Sequence, residues 1–185
     1  KNKNIFITGG NRGIGKGLVN ILGIDNNVIF SVRESAKGEE AIRDFKSQKV
    51  EYVVLNVDNF ESVHQAKKII KSKMDTIDIL FNNAGILIPQ YEVPAVDTSE
   101  ESILKTFQTN TLGPLRIIRS LLDMIPKGGR IVNISSVWGK IGKEYRASYM
   151  ASKFALDGLT IAIAAEHSKD GILANCVAPG FTDTD

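Results

Sequence analysis

Residues 4–15, Asn4-Ile5-Phe6-Ile7-Thr8-Gly9-Gly10-Asn11-Arg12-Gly13-Ile14-Gly15, decide how the rest of the chain is read. The apolar run over residues 4–8 predicts a buried strand. It passes straight into a glycine-rich turn, and the stripe Ile14, Leu18 and Ile21 that follows has helical spacing. Glycines at such a junction let the backbone turn tightly and approach a pyrophosphate, whose charge then rests at the helix N-terminus. The spacing is Gly9-x-x-x-Gly13-x-Gly15 and not G-x-G-x-x-G, so an ordinary strand–helix turn is the bland reading. Three glycines at a strand–helix boundary favour a nucleotide site.

The same alternation runs from end to end. Segments 28–32, 50–55, 77–81, 130–135 and 172–177 read as further buried strands, rich in Ile, Val, Leu and Phe. Between them, Val63, Ala66 and Ile70 form a helical stripe. Leu104, Phe107, Leu115, Ile118, Leu122 and Ile125 predict a long helix, interrupted near Gly113-Pro114. Ala151, Ala155, Leu159 and Ala162 line another helix. Strands alternating with helices imply a doubly wound α/β fold, a parallel sheet covered on both faces, with its ligand at the carboxyl ends of the strands. The long irregular segment 86–99, with Pro89 and Pro94, follows the fourth strand, where a binding loop belongs.

Bulk properties narrow the function classes. A chain of 185 residues, 43% hydrophobic, is expected to form one soluble globular domain. At that size it buries roughly 70% of its unfolded surface and needs no disulfide or metal. The single cysteine, Cys176, reads as a buried thiol in a strand, and its use fits a reducing cytoplasm. A net charge of +2 with interspersed signs argues against nucleic acid. No apolar segment approaches the ~20 residues that would span a membrane. The start, Lys1-Asn2-Lys3-Asn4, passes straight into Ile5-Phe6-Ile7, too short for a signal peptide's apolar region, and it lacks an initiating Met, so a trimmed chain is expected.

Two further patterns bear on chemistry. Dinucleotide folds place an acidic residue after the second strand to hold the adenosine ribose. Here that strand ends Ser31-Val32-Arg33-Glu34, with Arg12 in the glycine turn. Two guanidinium groups can grip a 2′-phosphate, which favours NADP(H), while Glu34 offers NAD(H) an acceptor and keeps it possible. The second pattern is Tyr149-x-x-x-Lys153, which puts a phenol and an ammonium on one helix face. An unperturbed phenol titrates near about 10, and an adjacent ammonium is expected to lower that. Such a pair can exchange a proton with a carbonyl or alcohol oxygen.

Taken together these residues resemble the short-chain dehydrogenase/reductase family across nearly the whole chain. Thr8-Gly9-x-x-x-Gly13-Ile14-Gly15 is similar to its coenzyme turn, Asn82-Asn83-Ala84-Gly85 to its Asn-Asn-Ala-Gly motif, and Pro179-Gly180-Phe181-Thr182-Asp183-Thr184 to its nicotinamide loop. The resemblance implies a Rossmann fold with strand order 3-2-1-4-5-6, the final strand lying beyond Asp185 with a substrate-covering segment. It implies that Tyr149 is the general acid/base, that Lys153 lowers its pKa and binds the nicotinamide ribose, and that Ser136 binds the substrate oxygen. Asn110, in the middle of a long helix, would hold a water of the proton relay. Cofactor contacts would come from Gly9, Asn11, Arg12, Gly13, Ile14, Gly15, Arg33, Asn83, Gly85, Tyr149, Lys153, Pro179, Gly180, Thr182 and Thr184. Asn56-Val57 would meet the adenine.

Competing readings are few. Ser135 rivals Ser136, but only Ser136 has the family's spacing to Tyr149. Trp138, Tyr145 and Tyr91 flank these loops and are candidates for a substrate wall or for simple packing. His64 and His167 read as surface residues, not metal ligands. The resemblance also implies a homodimer or homotetramer, paired through the helices bearing Asn110 and Tyr149. The expected activity is NADP(H)-dependent interconversion of a carbonyl and an alcohol, with ketoacyl thioesters among the substrates to test. A non-catalytic dinucleotide sensor on the same fold is the alternative.

Overall fold

The computed structural model describes residues 1–89 and 92–184. Its strands are β1 (Asn4–Ile7), β2 (Asn27–Val32), β3 (Val50–Val54), β4 (Ile79–Asn82), β5 (Arg130–Ile134) and β6 (Leu173–Val177). The helices are α1 (Gly13–Leu22), α2 (Ser35–Ile42), α3 (Phe60–Lys73), α4 (Glu100–Asn110), α5 (Leu112–Leu121) and α6 (Ala147–His167). All six strands are parallel, in the order β3-β2-β1-β4-β5-β6. The order reverses between β1 and β4, so the loops leaving their carboxyl ends diverge and open a crevice there.

The two-residue period of the strands divides the core. Ile5 and Ile7 of β1 join Val28, Phe30, Val32, Val19 and Ala41 on the face covered by α1 and α2. Phe6 points the other way, packing with Leu80, Ile131 and the buried residues of α3, α5 and α6. Phe30 meets Phe45 edge-on at 5.3 Å between ring centroids, closing the first layer.

Three details differ from the sequence reading. The stripe Ile14, Leu18 and Ile21 is not the buried face of α1: Gly15 and Val19 are buried, and Ile21 is 71% exposed. Gly15 lies there because its helix seats directly on the glycine turn. The alanine-rich stripe of α6 is displaced likewise, with Ala151 and Ala162 exposed. Its buried face is Ser148, Ser152, Lys153, Leu156, Asp157, Thr160 and Ile163. Polar groups there have partners to meet, which hydrophobic periodicity does not register. Finally, Cys176 is only partly buried, because β6 is an edge strand whose Leu173 and Val177 are also exposed.

The expected interruption of the long helix falls at Thr111, between α4 and α5. Pro114 has no N–H to offer the Asn110 carbonyl four residues earlier, and its ring crowds that oxygen. Asn110 therefore ends a helix and does not sit in the middle of one.

Candidate active site

The crevice takes its shape from hydrogen bonds between the ends of β1 and β4. The Thr8 hydroxyl accepts from the N–H groups of Asn83 and Ala84, both at 3.0 Å. The Asn83 side-chain amide donates to the carbonyls of Thr8 and Gly9, at 3.0 and 2.8 Å. From β2, the Ser31 hydroxyl and carbonyl take the N–H groups of Gly9 and Gly10. The turn so held needs glycine: Gly9 and Gly13 have φ of +70° and +54°, and a Cβ on Gly15 would lie 2.1 Å from the Gly9 carbonyl oxygen. Helix α1 starts here with no side-chain cap and no acidic residue in its first turn. Its N–H groups face the crevice as an anion site. That cradle fits a dinucleotide pyrophosphate.

A cleft of about 840 Å³ runs from this turn along the sheet edge. It is lined by Gly9, Asn11, Arg12, Gly13, Ile14, Arg33, Val57, Asn83 and Gly85, and by Ser136, Tyr149, Lys153, Pro179, Gly180 and Thr184. Thr184 lies against Gly13, and Gly85 beside Lys153. Glu34 lines the same cleft, together with Lys16 and Lys37, two cations that the sequence reading did not single out. Lys16 is paired with Asp44 at 2.8 Å, and Lys37 with Glu40.

Four expected residues stand outside the lining, the first being Gly15, which is buried against the Gly9 carbonyl. Asn56 is exposed, and its side-chain oxygen accepts from the Asp58 N–H at 3.1 Å, capping its own turn. Thr182 is exposed and donates to the Gly180 carbonyl at 3.3 Å. Asn110 is buried behind the wall, with its side-chain oxygen accepting from Ile86 N–H at 2.8 Å and its amide donating to the Ile86 carbonyl at 2.9 Å. The same amide donates to Ser152 Oγ, so this side chain binds the loop after β4 to α4 and α6. Gly85 fits between Asn110 and Lys153 because it has no side chain.

Tyr149 and Lys153 occupy the first two turns of α6. The Lys153 ammonium is 4% exposed, donates to the Ile134 carbonyl at 2.6 Å and lies 5.7 Å from the centroid of the Tyr149 ring. Burial lowers its pKa to about 8, partly offset by Cys176 and Asp157 nearby. The phenol departs from expectation. Burial raises the Tyr149 pKa above its ordinary value, a hydrogen bond with Ser136 pulls the other way, and the ammonium over the ring face does not reverse the direction. Ser136 opens a single 3-10 turn, Val137–Gly139, and its hydroxyl accepts from the Trp138 N–H. Ser135 is also buried, but its hydroxyl makes no hydrogen bond, and the bond to the phenol comes from Ser136.

Trp138 forms edge-on contacts with Tyr149 and Phe181, at centroid separations of 6.1 and 5.8 Å, and the Arg146 guanidinium lies 5.5 Å from its ring centroid. It walls the cleft beside the phenol. Tyr145, at φ +60°, lines a separate groove with Met150 and Phe154, and Tyr91 lies outside the described residues. His64 is exposed, and His167 pairs with Asp170 at 3.1 Å. Among the described residues no cluster of three metal-ligating side chains occurs, and no helix is long and apolar enough to cross a membrane.

Residues 3–185 match the short chain dehydrogenase family, and the chain belongs to it. It is 35% identical over 182 residues to the 3-oxoacyl-[acyl-carrier-protein] reductase FabG of Haemophilus influenzae, covering 97% of this chain and 74% of that protein. The FabG of Vibrio cholerae is 33% identical over 182 residues, covering 97% and 73%. Among solved structures, ElxO with NADP bound superposes with a TM-score of 0.91 at 34% identity, over all of this chain and 76% of that one. A short-chain dehydrogenase from Streptomyces avermitilis gives 0.90 at 26% identity, over all of this chain and 68% of that one. The protein is thus an oxidoreductase, a short-chain NAD(P)-dependent dehydrogenase/reductase.

The buried ammonium makes stability depend on pH. Lys153 titrates near 8 in the folded chain against 10.5 when unperturbed, so between those values the unfolded state holds more protons and stability rises with pH. In urea unfolding at about pH 7 and about pH 10, wild type is expected to gain up to roughly 3 kcal/mol relative to Lys153→Met. Equal pH dependence in both proteins would contradict the burial argument.

Proposed function

We propose that this protein reduces a carbonyl to an alcohol, or the reverse, with NADP(H), using Tyr149 as general acid/base. The observation that carries the reading is the convergence of Ser136, Tyr149 and Lys153 on the same cleft as the glycine cradle. The dinucleotide, when bound, supplies or accepts the hydride at its nicotinamide. Gly9, Gly13, Gly15 and the start of α1 would hold its pyrophosphate, and the loop Pro179-Gly180 would flank its nicotinamide.

In the reducing direction, the Ser136 and Tyr149 hydroxyls donate to the substrate oxygen as negative charge develops on it. Tyr149 then passes its proton to that oxygen. A phenol held above its ordinary pKa by burial starts protonated, as an acid must. Lys153, buried beside the phenol and donating to the Ile134 carbonyl, is the group that restores the proton. The Asn110 main-chain carbonyl, denied its helical donor by Pro114, offers a water the place from which Lys153 is recharged. A 3-oxoacyl thioester is the substrate class that the named relatives support. Arg12 and Arg33 favour the 2′-phosphate of NADP(H), although Glu34 lines the same cleft.

The activity test is NADPH oxidation with a panel of ketones, aldehydes and 3-oxoacyl thioesters; coenzyme binding without turnover of any of them would favour a sensor instead. Tyr149→Phe is expected to lower kcat by about 10²–10⁴ while leaving coenzyme affinity within about twofold. Full activity in that variant would sink the mechanism. Arg33→Ala should weaken NADPH binding roughly tenfold and spare NADH, and unchanged discrimination by titration calorimetry would withdraw the NADP(H) preference.

Exposed apolar side chains support assembly through α4, α5 and α6. Leu104, Leu112, Phe154 and Ile161 of α4, α5 and α6 are 68, 40, 49 and 71% exposed. A homodimer or homotetramer through these helices would cover them, and light scattering at high concentration should give a multiple of the chain mass.

A further inference from the structure

We propose that Lys140 and Asp157 form a clamp that fixes the turn carrying Ser136 against the helix carrying Tyr149 and Lys153, making Asp157 a positioning residue for proton transfer. Asp157 lies one turn beyond Lys153 and two beyond Tyr149 on the buried face of α6, and it is 7% exposed. Its Oδ2 meets Lys140 Nζ at 2.8 Å. Lys140 is the residue immediately after the Ser136 turn, where its N–H donates to the Val137 carbonyl at 2.9 Å and the Gly139 N–H donates to the Ser136 carbonyl at 2.8 Å. A turn closed by two such bonds moves as a unit, so what holds Lys140 also holds Ser136.

The turn is pressed flat on the helix at the same place. A Cβ on Gly139 would lie 3.0 Å from both Lys153 Cβ and Ser135 Oγ. Behind the carboxylate runs a polar seam. Asn82, Asn133 and Cys176 are in register across β4, β5 and β6. Asn82 donates to Asn133, and Asn133 and Cys176 both donate to Thr160 Oγ1, at 2.8, 2.8 and 3.1 Å. Thr160 is on α6, one turn past Asp157. The seam thereby anchors the helix to the sheet, and the ion pair continues the anchorage to the serine turn.

A buried carboxylate paired with a half-exposed lysine is a poor way to gain stability, since desolvation consumes much of the attraction. Its value here is directional: it adds a charged tie to the packing of Gly139 on Lys153 and of Trp138 on Tyr149 that already brings the two segments together. Burial alone would raise the Asp157 carboxyl, but the contact with Lys140 and its charge outweigh it and keep the carboxyl below its ordinary value. The clamp is therefore ionised across the neutral range.

The functional consequence rests on the proposed roles of Ser136 and Tyr149, so the test has one arm that needs no turnover. In the protein as its natural gene encodes it, Lys140→Met removes the more exposed partner. Amide exchange read by mass spectrometry on a peptide spanning residues 135–141 is expected to quicken by roughly tenfold, with β4 and β5 unchanged. In NADPH oxidation with a 3-oxoacyl thioester, kcat should fall roughly tenfold while KM for NADPH stays within about twofold. Asp157→Asn should behave alike, and Lys140→Met with Asp157→Asn should be no worse than the worse single change. Unchanged exchange in Lys140→Met would overturn the clamp, as would losses in kcat that multiply in the double variant. Wild type lacking turnover would defeat the proposed function, and exchange would still decide whether the turn is clamped.

Discussion

The amide of Asn83 is the contact on which the coenzyme end of the molecule depends. By donating to the carbonyls of both Thr8 and Gly9, it ties the loop leaving β4 to the turn leaving β1. Those two strands are neighbours only because the chain crosses the sheet after β3. The glycine turn keeps its shape against this amide, and a Cβ on Gly15 would collide with the Asn83 nitrogen as well as with Gly9. Remove that tie and the backbone carbonyls it satisfies are left buried without partners, while the cradle at the start of α1 loses its support.

The catalytic end is governed by how α6 is buried. A helix normally turns an apolar stripe inward, whereas α6 turns in Ser152, Lys153, Asp157 and Thr160 and leaves Phe154 and Ile161 half or more exposed. These four meet named partners: Ser152 Oγ donates to the Tyr149 carbonyl and accepts from Asn110, Lys153 reaches Ile134, Asp157 pairs with Lys140 through Oδ2, and Thr160 gathers Asn133 and Cys176. Such a network costs desolvation and returns orientation. Burial also sets the resting proton states, bringing the lysine down to about 8 and pushing the phenol up.

Much of this was legible before any coordinates. The six strands fall within two residues of their expected limits, and the doubly wound order follows from the strand–helix alternation with the family resemblance. The motif residues Gly9, Gly13, Asn83, Ser136, Tyr149 and Lys153 do meet around one cleft. What was misread has a common cause. The inward faces of α1 and α6 were taken from apolar spacing, but Gly15 is buried for want of a side chain and Lys153 and Asp157 are buried for their bonds. Position after β3 does not show that the Asn56 oxygen accepts from the Asp58 N–H. Asn110 was placed mid-helix, one turn before the proline that ends the helix there. Lys140 and Asp157 carried no signal in sequence beyond an acidic residue four positions after Lys153.

The amino-acid sequence by itself determined the class of fold, the position of the nucleotide turn and the pairing of a phenol with an ammonium. Those are properties of short segments, set by periodicity, by glycine conformation and by residues four apart on one helix. Tertiary structure alone decided that the Asn110 side chain serves as a brace, and that burial outweighs the ammonium in setting the Tyr149 proton. It also decided that Asp157 and Lys140 meet. Each of these depends on contacts between distant segments and on how much water they exclude, and neither quantity is written in local spacing.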